Sequence, residues 1–278
     1  YYLGAIESFK QCINIYDELG ETENDNRATA IKQIPVNQYK YALSLYKAKD
    51  YDASIDAFKK LAEYSKTYDD ASYLKKAEGI IPQLYRIKGT NLLKEEKYNE
   101  AITSFNQALE YNPNDVKVYV YKTLALRETD NTEALKETAN KGIEVAISKN
   151  KSEEEEDIKS VAGNYFIKKG ADAYTAKSYE EAANYFNQSM EYKEADSDLY
   201  YQLSAVYNKL EQWDKAIEMA NKSLELFDEE GTTKDAKIYF ELGNSYLGKG
   251  ENDTACDAYS KAAKGDYQEA AEYQIKHV

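Results

Sequence analysis

Apolar residues recur along this chain at helical spacing, in pairs of segments separated by short polar turns. Within residues 82–115, one helical face is formed by Tyr85, Gly89 and Leu92. A second face, with the spacing i, i+4, i+7, is formed by Ala101, Phe105 and Ala108. A polar turn at 97–99 separates the two segments, and Pro113 ends the unit. The pattern therefore predicts two amphipathic helices joined by a turn.

This pattern repeats with a period of 34 residues. The windows 82–115, 116–149, 163–196 and 197–230 share an aromatic residue at their fourth position, namely Tyr85, Tyr119, Phe166 and Tyr200. Further copies occupy 35–68 and 236–269, and residues 1–19 have the pattern of a second half-repeat. A period of this length with paired helices is typical of an α-solenoid, in which each repeat buries surface against its neighbours.

The copy at 82–115 resembles the tetratricopeptide repeat (TPR), which has an aromatic residue at position 4, Gly or Ala at 8, Ala at 20, Phe at 24 and Pro at 32. Small residues at 8 and 20 let two helices approach closely, and large residues at 4 and 24 fill the gaps. The resemblance implies an all-α fold, a right-handed α-solenoid (superhelix) of stacked antiparallel helix pairs, running as one TPR-like domain over 1–278. The abundance of Tyr and Lys resembles bacterial multi-repeat TPR proteins.

The spacing between copies predicts three helical extensions, at 20–34, 69–81 and 150–162. Their apolar residues are in phase with the first helices that follow, and Asp69 or Asp70 is a candidate N-cap for the second extension. Pro35 and Pro82 would then lie inside long helices, where a kink is expected. The alternative is a separate short helix that ends just before each proline. A C-terminal capping helix is expected at about 267–278.

The composition narrows the classes of partner and chemistry. The formal net charge of −14 disfavours nucleic acid and anionic lipid, and no apolar stretch has the length of a membrane span. His277 is the single histidine, and the acidic run 153–157 lacks the alternating ligands and glycine of a calcium loop. Cys12 and Cys256 lie near opposite ends and are expected to be packing residues. We therefore predict no catalytic site, no metal and no cofactor.

The TPR resemblance implies that positions 2, 5, 9, 12 and 13 of the first helices line a concave groove. We predict that the partner-binding residues are Tyr39, Tyr46, Arg86, Thr90, Arg127, Tyr174, Tyr201, Asn208, Lys237, Phe240 and Asn244. Tyrosine offers apolar area with a polar tip, and arginine binds carboxylates, so both suit interfaces. Because these positions include three cations, the expected partner is an apolar segment with some negative charge.

The predicted function is a non-enzymatic scaffold that binds a protein or peptide segment in this groove. The alternative is a TPR module that serves an enzyme or sensor domain located upstream of Tyr1. Residues 1–17 have the pattern of a second helix, so a first helix, and any signal peptide, would precede Tyr1. TPR domains that bind the acidic tails of chaperones carry Lys, Asn and Arg at set positions of three consecutive repeats. No three consecutive copies here supply that set, which disfavours such a partner.

Overall fold

The computed structural model describes residues 1–227 and 233–278. In this part of the chain the regular structure consists of α-helices and two short 3₁₀ turns, without strands. The chain forms two compact units, Tyr1–Ile158 and Lys159–Val278. Each unit is a stack of helix pairs, as the repeat pattern predicts; the single continuous solenoid over 1–278 stays a prediction.

The first unit begins with seven helices: α1 (Tyr2–Glu18), α2 (Asp25–Lys47), α3 (Tyr51–Thr67), α4 (Ala71–Lys94), α5 (Tyr98–Tyr111), α6 (Val116–Glu128) and α7 (Thr132–Ser148). Helix α8 (Ser152–Thr175) begins in the first unit and ends in the second. The second unit continues with α9 (Tyr179–Ser189), α10 (Ser197–Lys209), α11 (Trp213–Glu225), α12 (Ala236–Gly248), α13 (Asn252–Ala262) and α14 (Gln268–His277). The 3₁₀ turns Thr233–Asp235 and Gly265–Tyr267 precede α12 and α14.

The helix pairs coincide with the predicted repeats. Helices α2 and α3 form the copy at 35–68, α4 and α5 the copy at 82–115, and α6 and α7 the copy at 116–149. In the second unit α10 packs on α11 and α12 packs on α13, which matches the copies at 197–230 and 236–269. Residues 228–230, the end of the copy at 197–230, lie outside the described residues. These packed pairs confirm the predicted fold class.

The predicted extensions belong to long first helices. Pro35 lies inside α2 and Pro82 inside α4, both buried, so each long helix continues through its proline. Because proline has no N–H, the carbonyls of Ile31 and Glu78 lose their usual helical donor. The structure differs from the sequence interpretation at 20–24, which form a turn that ends at Asn24, the N-cap of α2.

In some pairs a glycine in the first helix lets the two helices approach closely. Three repeats place this glycine under an aromatic ring of the second helix: Gly89 under Phe105, Gly170 under Phe186 and Gly243 under Tyr259. A Cβ atom on Gly89 would stand 2.5 Å from a ring carbon of Phe105, closer than van der Waals contact allows. The missing side chain therefore lets the ring lie directly on the backbone of the facing helix.

Two repeats without this glycine use the opposite combination of sizes. A larger residue with a hydroxyl group occupies the glycine position of the first helix, and alanine occupies the position of the aromatic residue in the second: Thr123 corresponds to Ala139, and Ser204 to Ala220. The helices stay close, because the Ser204 hydroxyl donates to the Ala216 carbonyl at 2.9 Å across the pair. In the copy at 35–68 the direction is reversed, and the Ser54 hydroxyl donates to the Ala42 carbonyl at 3.1 Å. A bulky group is thus present on one side of the contact only.

Two glycines of α4 test this packing argument. Gly79 has no atom within 4 Å of an added Cβ, so Gly79→Ala should raise the free energy of unfolding by about 0.5–1 kcal/mol through helix propensity. Gly89→Ala should lower it, because overpacking against Phe105 costs about 1–3 kcal/mol and exceeds that gain. Urea unfolding followed by circular dichroism measures both. If Gly89→Ala stabilised the protein as much as Gly79→Ala, the close approach would not constrain this pair.

Candidate functional site

The five candidate residues of the first unit each contact a residue of the same unit. They are Tyr39, Tyr46, Arg86, Thr90 and Arg127. Each has a partner within the unit. The Arg86 guanidinium donates to both carboxylate oxygens of Asp115, at 3.0 and 3.2 Å. The Arg127 side chain pairs with its neighbour Glu128 at 2.7 Å. Both arginines are therefore neutralised by acids of the same chain.

The tyrosines and the threonine of the first unit are also engaged locally. The Tyr39 ring lies 6.0 Å from that of Phe58 and 5.4 Å from that of Tyr73. The ring of Tyr46, which is 41% exposed, lies 6.3 Å from the ring of the tyrosine that begins α3. The Thr90 hydroxyl donates to the carbonyl one turn earlier in α4, at 2.9 Å. The five candidates of the first unit therefore take part in separate local contacts.

The six candidates of the second unit do come together. They are Tyr174, Tyr201, Asn208, Lys237, Phe240 and Asn244, and they come from the first helices of three repeats: α8, α10 and α12. They gather around a residue that the sequence analysis missed, Glu241 of α12. The side chains of Tyr259 in α13 and Tyr267 in the second 3₁₀ turn complete the arrangement. We call these nine residues the Glu241 cluster.

The carboxylate of Glu241 is held by two amides. Oxygen Oε2 accepts from the Asn208 side chain at 2.7 Å and from the Asn244 side chain at 3.3 Å. Each amide is oriented in turn by a hydroxyl group: Ser245 donates to Asn208 Oδ1 at 2.7 Å, and Tyr259 donates to Asn244 Oδ1 at 2.8 Å. Because both donors are themselves fixed, the carboxylate has a defined position on the surface of α12.

Asn208 also connects two successive repeats. Its side-chain amide, on the buried side of α10, donates to the Glu241 backbone carbonyl at 2.9 Å as well as to the carboxylate. The residue is only 8% exposed, so these polar atoms are satisfied by protein groups rather than by bulk water. The same amide that positions Glu241 thus fixes α12 on α10.

Aromatic side chains surround the carboxylate. The Tyr201 and Tyr267 hydroxyl oxygens are 3.5 Å apart, and the Phe240 ring lies 5.3 Å from the Tyr267 ring and 5.5 Å from the Tyr259 ring. Burial raises the pKa of Tyr201 strongly, and the nearby Tyr267 hydroxyl and Glu241 carboxylate raise it further. Burial, followed by the Glu241 charge, raises the pKa of Tyr259 to about 12. These tyrosines are neutral at pH 7, so the negative charge at the centre is that of Glu241.

The cation of the cluster is already paired. The Lys237 ammonium lies 2.6 Å from Asp198 and 4.7 Å from the centre of the Tyr201 ring. Arg86 and Arg127 are paired in the first unit, as described above. The expectation of a partner with negative charge rested on these three cations. Each of these cations has a carboxylate partner in the structure, and the acid Glu241 lies among the predicted groove residues, so the charge of the partner stays a prediction.

Two further properties concern other classes of site. Within residues 1–227 and 233–278, no group of three or more His, Cys, Asp or Glu side chains is arranged to hold a metal ion. No helix in the same described ranges is long and apolar enough to cross a membrane. The ring of His277, the single histidine, stacks on Tyr273 in α14, with 4.0 Å between ring centres.

Comparison with known proteins agrees with the repeat assignment. Residues 37–67, 82–115 and 196–268 each match a family model described as tetratricopeptide repeat. The TPR repeat-containing protein MJ1428 of Methanocaldococcus jannaschii is 22% identical over 298 residues, covering 98% of this chain and 50% of that protein. The chain therefore belongs to the multi-repeat tetratricopeptide repeat proteins.

Other similar proteins cover smaller parts of the chain. The Hsp70-Hsp90 organizing protein of Triticum aestivum is 28% identical over 183 residues, covering 61% of this chain and 29% of that protein. The chain thus spans half or less of the length of these two curated relatives. Among solved structures, YrrB, described as a TPR protein with an unusual peptide-binding site, has a TM-score of 0.40 at 17% identity and covers 81% of this chain and 100% of that chain.

The role of Asn208 in joining two repeats can be measured. Asn208→Ala removes a buried amide and leaves the Ser245 hydroxyl and the Glu241 carbonyl without this partner, so the free energy of unfolding should fall by about 1–3 kcal/mol. The control is Asn221→Ala on the exposed surface of α11, where the change should stay within about 0.5 kcal/mol. Equal effects of the two substitutions in urea unfolding would contradict this role.

Proposed function

We propose that this TPR protein is a non-enzymatic binding module that holds a peptide segment of a partner on the Glu241 cluster. The observation that carries the proposal is the convergence of six predicted groove residues, from three successive first helices, around one fixed carboxylate. In the first unit the equivalent positions are dispersed and paired internally. The second unit is therefore the better candidate for recognition.

The composition of the cluster supports this role. Tyr174, Tyr201, Phe240 and Tyr267 are each partly exposed, so their rings can lose further surface to a partner. Large aromatic residues near the centre of an interface commonly account for most of its binding energy. Their positions are also fixed by contacts among themselves, which limits the entropy lost on binding. A peptide segment that lies across α8, α10 and α12 could contact all of them.

The name of the wheat relative refers to Hsp70 and Hsp90, and a relative from Arabidopsis thaliana carries a related name. We do not extend that partner to this chain. The set of basic and amide residues typical of chaperone-tail binding does not occur in three consecutive copies here. The partner proposed is a peptide segment with a different charge pattern, which is considered below.

A selection with a random-peptide library displayed on phage, using the whole chain as bait, tests the proposal. Peptides that bind should lose affinity about tenfold or more for Tyr174→Ala, because this partly exposed ring can lose further surface to a partner. Circular dichroism establishes that the variant is folded. The matched control is Tyr273→Ala, which removes an exposed ring on α14 outside the cluster and should leave binding unchanged. If no peptides are selected, or if both variants bind them as the native protein does, the proposed site is wrong.

A further inference from the structure

We propose that the Glu241 cluster receives a cationic side chain, lysine or arginine, from the bound peptide segment. This inference rests on the proposed function and specifies the chemistry of the partner. It reverses the charge preference that the sequence alone suggested.

The first argument is that the charge of Glu241 is not neutralised within the protein. In the described part of the chain, the carboxylate accepts hydrogen bonds from the neutral amides of Asn208 and Asn244 and has no ion-pair partner. Lys237 precedes Glu241 by one helical turn, a spacing at which the two could pair. Its ammonium pairs instead with Asp198. Neutral amides do not balance the charge of this partly buried carboxylate. A cation from a partner could therefore form an ion pair with it.

The second argument is that one carboxylate oxygen is still available. Both amides donate to Oε2, and the described residues offer no hydrogen-bond donor to Oε1. Glu241 is itself partly exposed, so a ligand can approach this oxygen from solvent. Because the Asn208 and Asn244 amides fix the carboxylate, its position would not have to change on binding.

The third argument is that aromatic rings surround the Glu241 carboxylate. A cation is attracted to the face of an aromatic ring, and this protein already uses tyrosine rings in that way. The Lys237 ammonium lies 4.7 Å from the Tyr201 ring centre, and in the first unit Lys76 lies 4.2 Å from that of Tyr73. Near Glu241, the rings of Tyr174 and Tyr267 add surfaces of the same kind. A carboxylate flanked by neutral rings favours a cation and disfavours an anion.

The fourth argument concerns approach from solution. The chain has a formal net charge of −14, so its long-range field attracts positively charged segments and repels acidic ones. One carboxylate can balance the single charge of a lysine or arginine side chain. A multivalent metal ion would need several oxygen ligands instead.

The test combines a protein variant with a peptide variant. Peptides selected on the native chain are resynthesised, and each lysine or arginine is replaced in turn by glutamine. One such replacement should weaken binding to the native protein by about tenfold or more. Glu241→Gln keeps the size of the side chain and an oxygen acceptor for both amides, so the fold should be retained. This variant should bind the native peptide about tenfold more weakly and should no longer distinguish it from the glutamine peptide.

The matched control is Glu218→Gln. Glu218 is exposed on α11, pairs with Lys222 and carries the same charge, so the variant should retain the preference for the cationic peptide. If Glu241→Gln also retains that preference, or if the selected peptides bind without an essential cation, the inference is overturned. Loss of binding for Tyr174→Ala in that case would still support the proposed function. If no peptide depends on the cluster at all, both proposals fail.

Discussion

The close approach of the two helices within each repeat is the constraint on which the rest of the structure depends. A glycine in the first helix lies directly under an aromatic ring of the second, as with Gly89 and Phe105. Where the first-helix residue is larger, as at Ser204, the facing residue is alanine, and a hydroxyl group bonds to the opposite carbonyl. In these copies the larger side chain is on one side of the contact only, so a few positions determine how closely the paired helices approach.

This constraint also affects the other faces of the first helices. Once one face of each first helix packs against its pair, contacts with a partner would have to use the remaining faces. In the second unit, hydrogen bonds from Asn208 to Glu241 join α10 to α12. In the first unit, the equivalent positions carry side chains that pair locally, as Arg86 does with Asp115. The same architecture therefore gives a clustered site in one unit and dispersed contacts in the other.

Features set by local periodicity could be predicted from the sequence, and features set by contacts between repeats could not. The 34-residue phase predicted the helix pairs, and the TPR resemblance implied Tyr174, Tyr201 and Phe240 as groove residues. Glu241 was missed because position 6 of the repeat was not among the positions considered, although it lies one turn after Lys237. The pairing of Arg86 was missed because Asp115 is 29 residues away and belongs to the end of the copy. The expectation of a partner with negative charge rested on three cations, and the sequence did not reveal that each has a carboxylate partner within its unit.

The most direct test of the central constraint is a double-mutant cycle at one helix contact. Gly89→Thr combined with Phe105→Ala gives the copy at 82–115 the combination of sizes found at Thr123 and Ala139. Each single substitution should destabilise, by overpacking in the first case and by a cavity in the second. The double variant should recover part of the loss, with a coupling free energy of at least about 1 kcal/mol in urea unfolding. Strictly additive losses would contradict the account, because they would mean that the two positions do not share one packing constraint.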